Sequence, residues 1–286
     1  MSDEAEKQFK FCDDLMFSSV LSDDPVLVKQ MLETILGHPI GNIVTMNVQE
    51  VLNYSPDAKS VQLDVYCKDD RSTLFDLEME NRKNRESLKS LPKRTRYYSS
   101  VSDAQEYLRG TRYREIKEQY VIFICMSDPF PPHSMAKYEV KLECRDSPEA
   151  AVQDEATRIY LFCGAENRNV SVELDHLLNY IGGREAPRTE LTKRIEEKTE
   201  IRNKDHNWRR KAMTLDEKMR ELAFDERLEG REEGREEGRD EKCKEIVFGM
   251  LEDGRSEEEI ISILKMIPSE TISALVAKWN SEKSVS

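Results

Sequence analysis

The chain has 286 residues, of which 38% are hydrophobic and 35% are charged, and its formal net charge is −13. This length accommodates one domain with a substantial core plus an appendage, and the high charged content predicts that part of the chain is solvated helix. The longest apolar run, YVIFIC at 120–125, is too short to span a bilayer, so no membrane association is expected. Six scattered cysteines without a CxxC pair favour reduced thiols and a cytoplasmic location over a disulfide framework.

The charges are segregated along the chain. Residues 214–259 carry 18 acidic and 9 basic side chains, whereas residues 81–118 carry 11 basic and 5 acidic ones. A basic stretch of this kind is either a solvated helix face or a surface that binds phosphates.

Apolar periodicity predicts the elements of the first two thirds of the chain. In order, they are a helix over 13–36 broken near Pro25, strands over 43–52, 61–67 and 74–80, a helix from Pro92 to Leu108, a buried strand over 120–125, weaker strands near 138–143 and 158–163, and a helix over 171–181.

The remainder of the chain has a different character. Residues 186–242 are charged and helical in type, with the four-residue repeat GREEGREEGRDE, and are expected to form a solvated connector. Residues 243–286 predict a module of three short helices, in which Ser256 and Glu259 form a capping box. Its few exposed cations favour contact with protein, including self-association into a homo-oligomer, over contact with DNA.

The segment TLFDLEMEN, residues 73–81, alternates carboxylates with apolar side chains and predicts a strand. Pairing it with 61–67 through a turn at 69–73 places every apolar side chain of the hairpin on one face. Asp64 then lies opposite Glu78, at a Cβ separation of about 5 Å.

Two carboxylates at that separation repel each other by roughly 3 kcal/mol at an effective dielectric constant near 20. The strand either keeps a charged face in solvent, or holds one protonated acid, or binds a divalent cation between the acids. Oxygen donors suit Mg²⁺ or Mn²⁺. With the basic stretch directly downstream, the arrangement favours metal-assisted cleavage of a phosphodiester.

Four segments carry a resemblance to a known family: FCDDLMFSSVL, LDVYCKDDRSTLFDLEMEN, LPKRTRYYSS and YVIFICMSDPF. Together they resemble the Rpn recombination-promoting nucleases, often labelled putative transposases, of the PD-(D/E)XK nuclease superfamily. The resemblance covers roughly residues 8–182. It implies an α/β fold with a restriction-endonuclease-like core, in the order helix, three-stranded antiparallel meander, helix and strand, followed by a helical C-terminal extension. Residues 1–185 would form the nuclease-like domain.

The resemblance also implies the site. It places the superfamily's metal-binding aspartate at Asp64 and its glutamate at Glu78, with Glu33 of the first helix as a looser candidate for an accessory acid. We expect Mg²⁺ or Mn²⁺ as cofactor and the carbonyl of Met79 as a further ligand. The superfamily's lysine position is occupied by Glu80, which can act as a general base or an additional ligand, or can mark a weakened enzyme.

The function expected from the sequence is therefore a metal-dependent DNA endonuclease associated with recombination or a mobile element. The alternative is a catalytically weakened nuclease fold that acts as a partner-binding or assembly module through its helical tail. The candidate phosphate contacts belong to the basic stretch that follows the strand: Arg82, Lys83, Arg85, Lys89, Lys93, Arg94 and Arg96.

Overall fold

A computed structural model describes residues 8–283 except 53–60, 83–84, 108, 148, 151 and 153. The helices are α1 (Asp14–Leu21), α2 (Pro25–Leu36), α3 (Arg85–Glu106), α4 (Val172–Ile181), α5 (Glu190–Lys204), α6 (His206–Glu252), α7 (Glu257–Ile263) and α8 (Ser269–Lys283). The strands are β1 (Ile43–Leu52), β2 (Val61–Asp69), β3 (Leu74–Glu80), β4 (Gln119–Cys125), β5 (Lys137–Val140) and β6 (Ala156–Phe162). The chain divides into two units, Met1–Arg210 and Lys211–Ser286.

The six strands form one mixed sheet in the first unit, in the order β1-β2-β3-β4-β6-β5. The first three strands are an antiparallel meander, and β4 and β6 continue it in parallel to β3. Parallel neighbours need a crossover connection, which α3 supplies between β3 and β4. The predicted restriction-endonuclease-like order of helix, meander, helix and strand is confirmed.

The predicted hairpin register agrees with the observed one. Val65 pairs with Leu77, and Cys67 pairs with Phe75. The turn is fixed by Asp69, whose carboxylate accepts hydrogen bonds from the backbone N–H groups of Arg71 and Thr73 at 3.0 and 2.9 Å. Such side-chain to backbone bonds stabilise tight turns. The register follows from the hydrophobic pattern and from this turn.

Helix α3 lies over the face of the sheet that carries the carboxylates of β3. Its Val101 belongs to one buried cluster with Tyr66 and Leu74, and its Leu91 belongs to another with Phe123 of β4. The helix begins at Arg85, seven residues before the predicted start at Pro92, and Pro92 lies within it. Proline is unfavourable inside a helix because it lacks an N–H donor, so the sequence pattern placed the start too late.

The opposite face of the sheet is buried as well. Val65, Phe75 and Leu77 are each 0% exposed, and α1 and α2 pack against β1 and β2. The predicted break near Pro25 separates these two helices, and the side chain of Asp24 caps α2 by accepting from the N–H of Leu27. Because both faces are covered, the sheet is the central layer of an α/β domain.

The boundary predicted at residue 185 is too early. Helix α5 packs against α1, α2 and α4, and its Ile195 is fully buried. Asp24 receives two 2.8 Å hydrogen bonds from Arg194 Nη2 and forms an ion pair with Lys198 at 3.0 Å. Residues 190–204 therefore belong to the first unit and are not a solvated connector. The charged composition misled the prediction because these charges are paired across helices.

The second unit contains a small helical core. Val247 near the end of α6, Ile260 of α7, and Ile272 and Val276 of α8 are buried together. The predicted cap of α7 is present, since Ser256 and Glu259 form a reciprocal capping box. The first of the three helices expected here is the end of the long helix α6. In the part of the chain that the structure describes, no helix combines the length and hydrophobicity that a membrane span requires.

The ion pairs of Asp24 generate a stability prediction. Burial raises the pKa of this carboxyl, but the hydrogen bond from Leu27 and the charges of Lys198 and Arg194 outweigh burial, so its pKa is lowered. Asp24→Asn keeps the helix cap but removes the ion pairs, and we expect it to lower the free energy of unfolding at pH 7 by about 2 kcal/mol. Because the folded-state pKa is depressed, the difference from wild type is expected to shrink as the pH falls below about 4.

The measurement is urea unfolding at pH 7, 4.5 and 3.5, with the exposed neighbour as control. Asp23 is 65% exposed and pairs with Lys198 at 3.5 Å, so Asp23→Asn is expected to cost less than about 1 kcal/mol. Equal losses for the two variants at pH 7 would contradict the role assigned to Asp24.

Candidate active site

The carboxylates of β3 are buried, although alternation alone also allowed a solvent-facing strand. Asp76, Glu78 and Glu80 are 1%, 5% and 3% exposed, because α3 covers their face. They lie beside Val121, Phe123 and Cys125 of β4, their partners in the parallel register. Buried charges are costly unless they are paired or bind a metal. The burial of these three side chains therefore requires an explanation, whereas carboxylates on a solvent-exposed face would not.

Asp64 and Glu78 lie together, as the register predicts. The N–H of Asp64 donates to Glu78 Oε1 at 2.7 Å, and the N–H of Met79 donates to Asp64 Oδ2 at 2.9 Å. Each carboxylate therefore binds the backbone of the strand that carries the other. This exchange holds both side chains at the junction between β2 and β3.

Asp76 adds a third carboxyl group that sequence reasoning left out of the site. In the described structure neither of its oxygens receives a hydrogen bond from an N–H or hydroxyl donor. The adjacent carboxyl is that of Glu78, and one of the two must be protonated for a hydrogen bond to join them. The sequence did contain a signal for this position. Asp76 alternates with apolar residues in the strand, and it therefore lies on the same face as Glu78 and Glu80.

Burial is the main cause of high pKa values in this cluster. It raises the pKa of Asp76 to about 8, with a further increase from the charge of Asp64. It raises the pKa of Asp64 to about 7, against the hydrogen bond from Met79 and with a contribution from Asp14. Burial, then Asp76, then Asp64 raise the pKa of Glu78 well above its ordinary range. Perturbed groups of this kind concentrate at functional sites.

Glu80 is bound differently. Its Oε2 accepts from Arg94 Nη2 of α3 in a short ion pair, and its Oε1 accepts from the N–H of Arg82 at 2.9 Å. The guanidinium of Arg94 also lies over the ring of Phe123, 4.9 Å from its centroid. Both oxygens of Glu80 thus accept from protein donors, and the expected roles of base or metal ligand would compete with these bonds.

The acidic residue that the first helix brings to the site is Asp14. Its Oδ1 accepts from Asn81 Nδ2 at 2.9 Å, directly after β3, and its charge acts on Asp64. Glu33 lies elsewhere, where its Oε1 accepts from the N–H of Ile40 at 3.1 Å and faces Lys29. The expectation for Glu33 depended on its helix alone, whereas the segment FCDDLMF contained the carboxylate that reaches the sheet.

The donor set of this cluster suits a hard divalent cation. Asp64, Asp76 and Glu78 supply only oxygen, which Mg²⁺ and Mn²⁺ prefer, and no N–H or hydroxyl donor of the described residues binds Asp76. Within the described residues, no three acidic, histidine or cysteine side chains converge as a finished metal site. Asp64 and Glu78 each direct one oxygen at a backbone N–H group, which leaves the other oxygen of each carboxylate for a cation.

The predicted phosphate contacts are divided by the geometry of α3. Lys89, Lys93 and Arg96 are exposed and share one side of the helix, since residues three and four apart are neighbours. Arg82 is also exposed. Arg94 instead turns inward to Glu80. Lys83 and the side chain of Arg85 lie outside the described residues.

Comparison with protein families gave one finding. A family model described as PD-(D/E)XK nuclease family transposase matches residues 11–226, three quarters of the chain. Comparisons with curated proteins and with solved structures gave no match. The family match ends within α6 and includes the whole carboxylate cluster.

The buried carboxyl of Asp76 predicts an unusual pH dependence. Its folded-state pKa of about 8 lies above the ordinary value of about 3.9, so the folded state binds the additional proton between these two values. Stability should therefore fall as the pH rises from about 4 to about 8. Asp76→Asn removes this cost. In EDTA we therefore expect the substitution to raise the melting temperature more at pH 8 than at pH 5. Each kcal/mol gained in the free energy of unfolding corresponds to a rise of about 2–4 °C.

Thermal unfolding at pH 5, 6.5 and 8 measures this effect. The exposed loop residue Asp146 provides the control, and Asp146→Asn should change stability by less than about 0.5 kcal/mol at each pH. An identical shift for Asp76→Asn at all three pH values would contradict the assignment.

Proposed function

The chain belongs to the PD-(D/E)XK nuclease family transposases, and we propose that it is a metal-dependent DNA endonuclease whose active site is the Asp64–Glu78 junction. The observation that carries this proposal is the burial of Asp76 and Glu78 beside Asp64, where Asp76 receives no hydrogen bond from an N–H or hydroxyl group in the described part of the chain. Repulsion and desolvation disfavour such a cluster in a purely structural strand. A divalent cation removes both costs.

Asp64 and Glu78 would hold Mg²⁺ or Mn²⁺, with Asp76, Asp14 and the carbonyl of Met79 as additional oxygen donors at the same place. When bound, the cation supplies a Lewis acid that polarises the phosphodiester and makes water more acidic. In the reaction, water attacks phosphorus, the bond from phosphorus to the leaving oxygen breaks, and that oxygen takes a proton. The products are a phosphate monoester and a hydroxyl terminus.

The chain's exposed cations would position the DNA backbone. Lys89, Lys93 and Arg96 line the outer side of α3, and the inner side of the same helix covers the carboxylates. A phosphate held by this stripe lies near the helix that borders the site. The proposal places the DNA contact in the first unit, although the whole chain is acidic. We further propose a role in recombination or in a mobile element, and a cytoplasmic location that the six free cysteines support.

The alternative function is assembly through the C-terminal helices. The observation in its favour is the exposure of apolar side chains in the second unit, where Met266 is 92% and Ile263 is 47% exposed. Exposed apolar side chains mark interaction sites when they cluster. Under this alternative, the carboxylates belong to a former active site that has lost its catalytic activity.

Removal of the proposed metal ligands should separate the two functions. Asp64→Asn and Glu78→Gln are expected to reduce metal-dependent nicking of a supercoiled plasmid by about 100-fold or more. Both variants should keep the apo melting temperature or raise it, because each relieves repulsion without opening a cavity. They should also lose the upward shift that millimolar Mn²⁺ produces in wild type.

Asp70→Asn is the matched control, since Asp70 is an exposed carboxylate in the turn of the same hairpin, and it should cleave like wild type. Wild-type protein without metal-dependent cleavage, and without a metal-dependent thermal shift, would sink the nuclease proposal and leave assembly as the function.

The exposed cations of α3 predict a salt-dependent affinity for DNA. Replacement of Lys89, Lys93 and Arg96 by glutamine should reduce the slope of log K against log salt by about 3, because each phosphate that a cation neutralises contributes about 0.9 to that slope. The measurement is fluorescence anisotropy with duplex DNA between 50 and 300 mM salt, with Asp64→Asn as the background so that no cleavage occurs.

A triple variant of the same charge change provides the control. Arg71, Lys117 and Lys141 line a cavity at the N-terminal ends of β3, β4 and β6, at the end of the strands away from Glu80. Their replacement by glutamine should leave the slope near that of the background. If the control variant reduces the slope of log K against log salt more than the α3 variant does, the α3 cations form a solvated helix face and do not contact phosphates.

A further inference from the structure

The carboxylate cluster contains more acid than its neighbouring cations can balance. Asp64, Asp76, Glu78 and Glu80 lie along β2 and β3, with Asp14 nearby. Among the described residues, the arginines paired with this cluster are Arg82 and Arg94. The Arg82 side chain is 61% exposed, with Nε 3.9 Å from Glu80, and exposed pairs of this kind contribute little. The Arg94 side chain is only 18% exposed, so its charge acts with less screening.

Arg94 is held at the site by more than its ion pair. Its guanidinium lies 4.9 Å from the ring centroid of Phe123 and 5.9 Å from that of Tyr98. Arginine pairs well with aromatic faces. The field of Arg94 reaches further than Glu80, because it also counteracts the increases in pKa at Asp64 and Asp76.

Two donor nitrogens of Arg94 have no acceptor within the part of the chain that the structure describes. Its Nε and Nη1 atoms are buried and lack a hydrogen-bond partner among the described residues. Unsatisfied buried donors are rare and costly in folded proteins. The guanidinium is bound to Glu80 through Nη2 alone. Its Nε and Nη1 groups, beside a cluster of carboxylates, are suited to an anionic group or a water that enters the site.

We propose that Arg94 is the cation of this active site, supplied by α3 at the point where β3 carries Glu80 in place of a lysine, and that Glu80 is its positioning residue. The ion pair and the two rings fix the guanidinium where negative charge develops on the phosphate. Glu80 therefore acts through Arg94 and contacts neither the metal nor the attacking water. This inference rests on the proposed nuclease function and assigns the origin of its positive charge.

Charge complementation tests the proposal. Glu80→Gln/Arg94→Met removes both charges and keeps at position 94 an unbranched, polarizable side chain that suits packing against the rings of Phe123 and Tyr98. We expect kcat to fall by about 100-fold and KM for DNA to stay near wild type. Glu80→Lys/Arg94→Met differs only by the positive charge at position 80, and it should recover at least about tenfold in kcat. Glu80→Lys alone should not exceed wild type, because it places two cations together and releases Arg94.

Matched kcat values for the two double variants would overturn the proposal, as would a Glu80→Gln/Arg94→Met protein with wild-type kcat. Both double variants avoid an unpaired buried Glu80, so they are expected to fold. Arg71→Gln removes one exposed cation from the hairpin turn, and adding it to Glu80→Lys/Arg94→Met gives a chain with the same net charge as Glu80→Gln/Arg94→Met.

Mn²⁺ binding provides a readout that does not require cleavage. The Mn²⁺ concentration that produces half of the maximal thermal shift should be about tenfold higher for Glu80→Lys/Arg94→Met than for Glu80→Gln/Arg94→Met. The reason is that the lysine places one additional positive charge near the carboxylates. Equal midpoints would show that charge at this position does not reach the metal-binding acids, and would overturn the proposal. A wild-type protein that binds Mn²⁺ with this charge dependence but does not cleave DNA would refute the nuclease function while supporting the placement of the cation.

Discussion

The burial of a carboxylate-bearing strand is the constraint on which the rest of the first unit depends. β3 lies in the middle of the sheet, and its two faces carry incompatible chemistry, with Phe75, Leu77 and Met79 on one and Asp76, Glu78 and Glu80 on the other. Placing carboxyl groups in a low-dielectric layer costs several kcal/mol per ion even after relaxation. The protein meets this cost partly with Arg94 and partly by raising pKa values, so that Asp76 holds its proton up to about pH 8.

The topology explains why the cost cannot be avoided by exposure. β4 runs parallel to β3, and a parallel neighbour requires a crossover that returns across one face of the sheet. Here the crossover is α3, and it passes over the carboxylates. The same connection therefore buries the acids and brings the cation that neutralises one of them. An antiparallel continuation by a short hairpin would have left that face in water and removed the reason for Arg94.

Local sequence determined much of this arrangement. The alternation in 61–67 and 74–80 was enough to derive the register, because a slip by one residue would have exposed Leu77 and buried charge in its place. The meander, the crossover and the strand at 120–125 followed from periodicity and from the resemblance. Burial of the second face could not be derived from the strand itself, since alternation looks the same whether a solvent layer or a helix covers the polar side.

Identifying which side chains contact the acidic residues also required the three-dimensional packing of the chain. Glu33 and Asp14 are both acids on the first helical segment, and only the packing of α1 against the sheet selects Asp14. The boundary after residue 185 was misplaced because unpaired and paired charges are indistinguishable in composition. Arg194 and Lys198 look like solvated helix in the sequence, yet they close on Asp24, which lies 170 positions before Arg194. Such pairs become visible only when the helices are in place.

The periodicity of α3 separates two kinds of cation that the sequence presents as one basic run. Leu91, Arg94 and Tyr98 follow one another at intervals of three and four residues and face the sheet, whereas Lys89, Lys93 and Arg96 follow the same spacing on the exposed side. A helix rotates by about 100° per residue, so adjacent residues such as Lys93 and Arg94 point in clearly different directions. The outer cations are solvated and screened by salt, which suits reversible contact with a DNA backbone. The inner cation is desolvated and held by an ion pair and two rings, which suits the stabilisation of charge that develops at one place. Under the proposed function, one helix would provide both DNA binding and electrostatic stabilisation, because its two sides meet different dielectric environments.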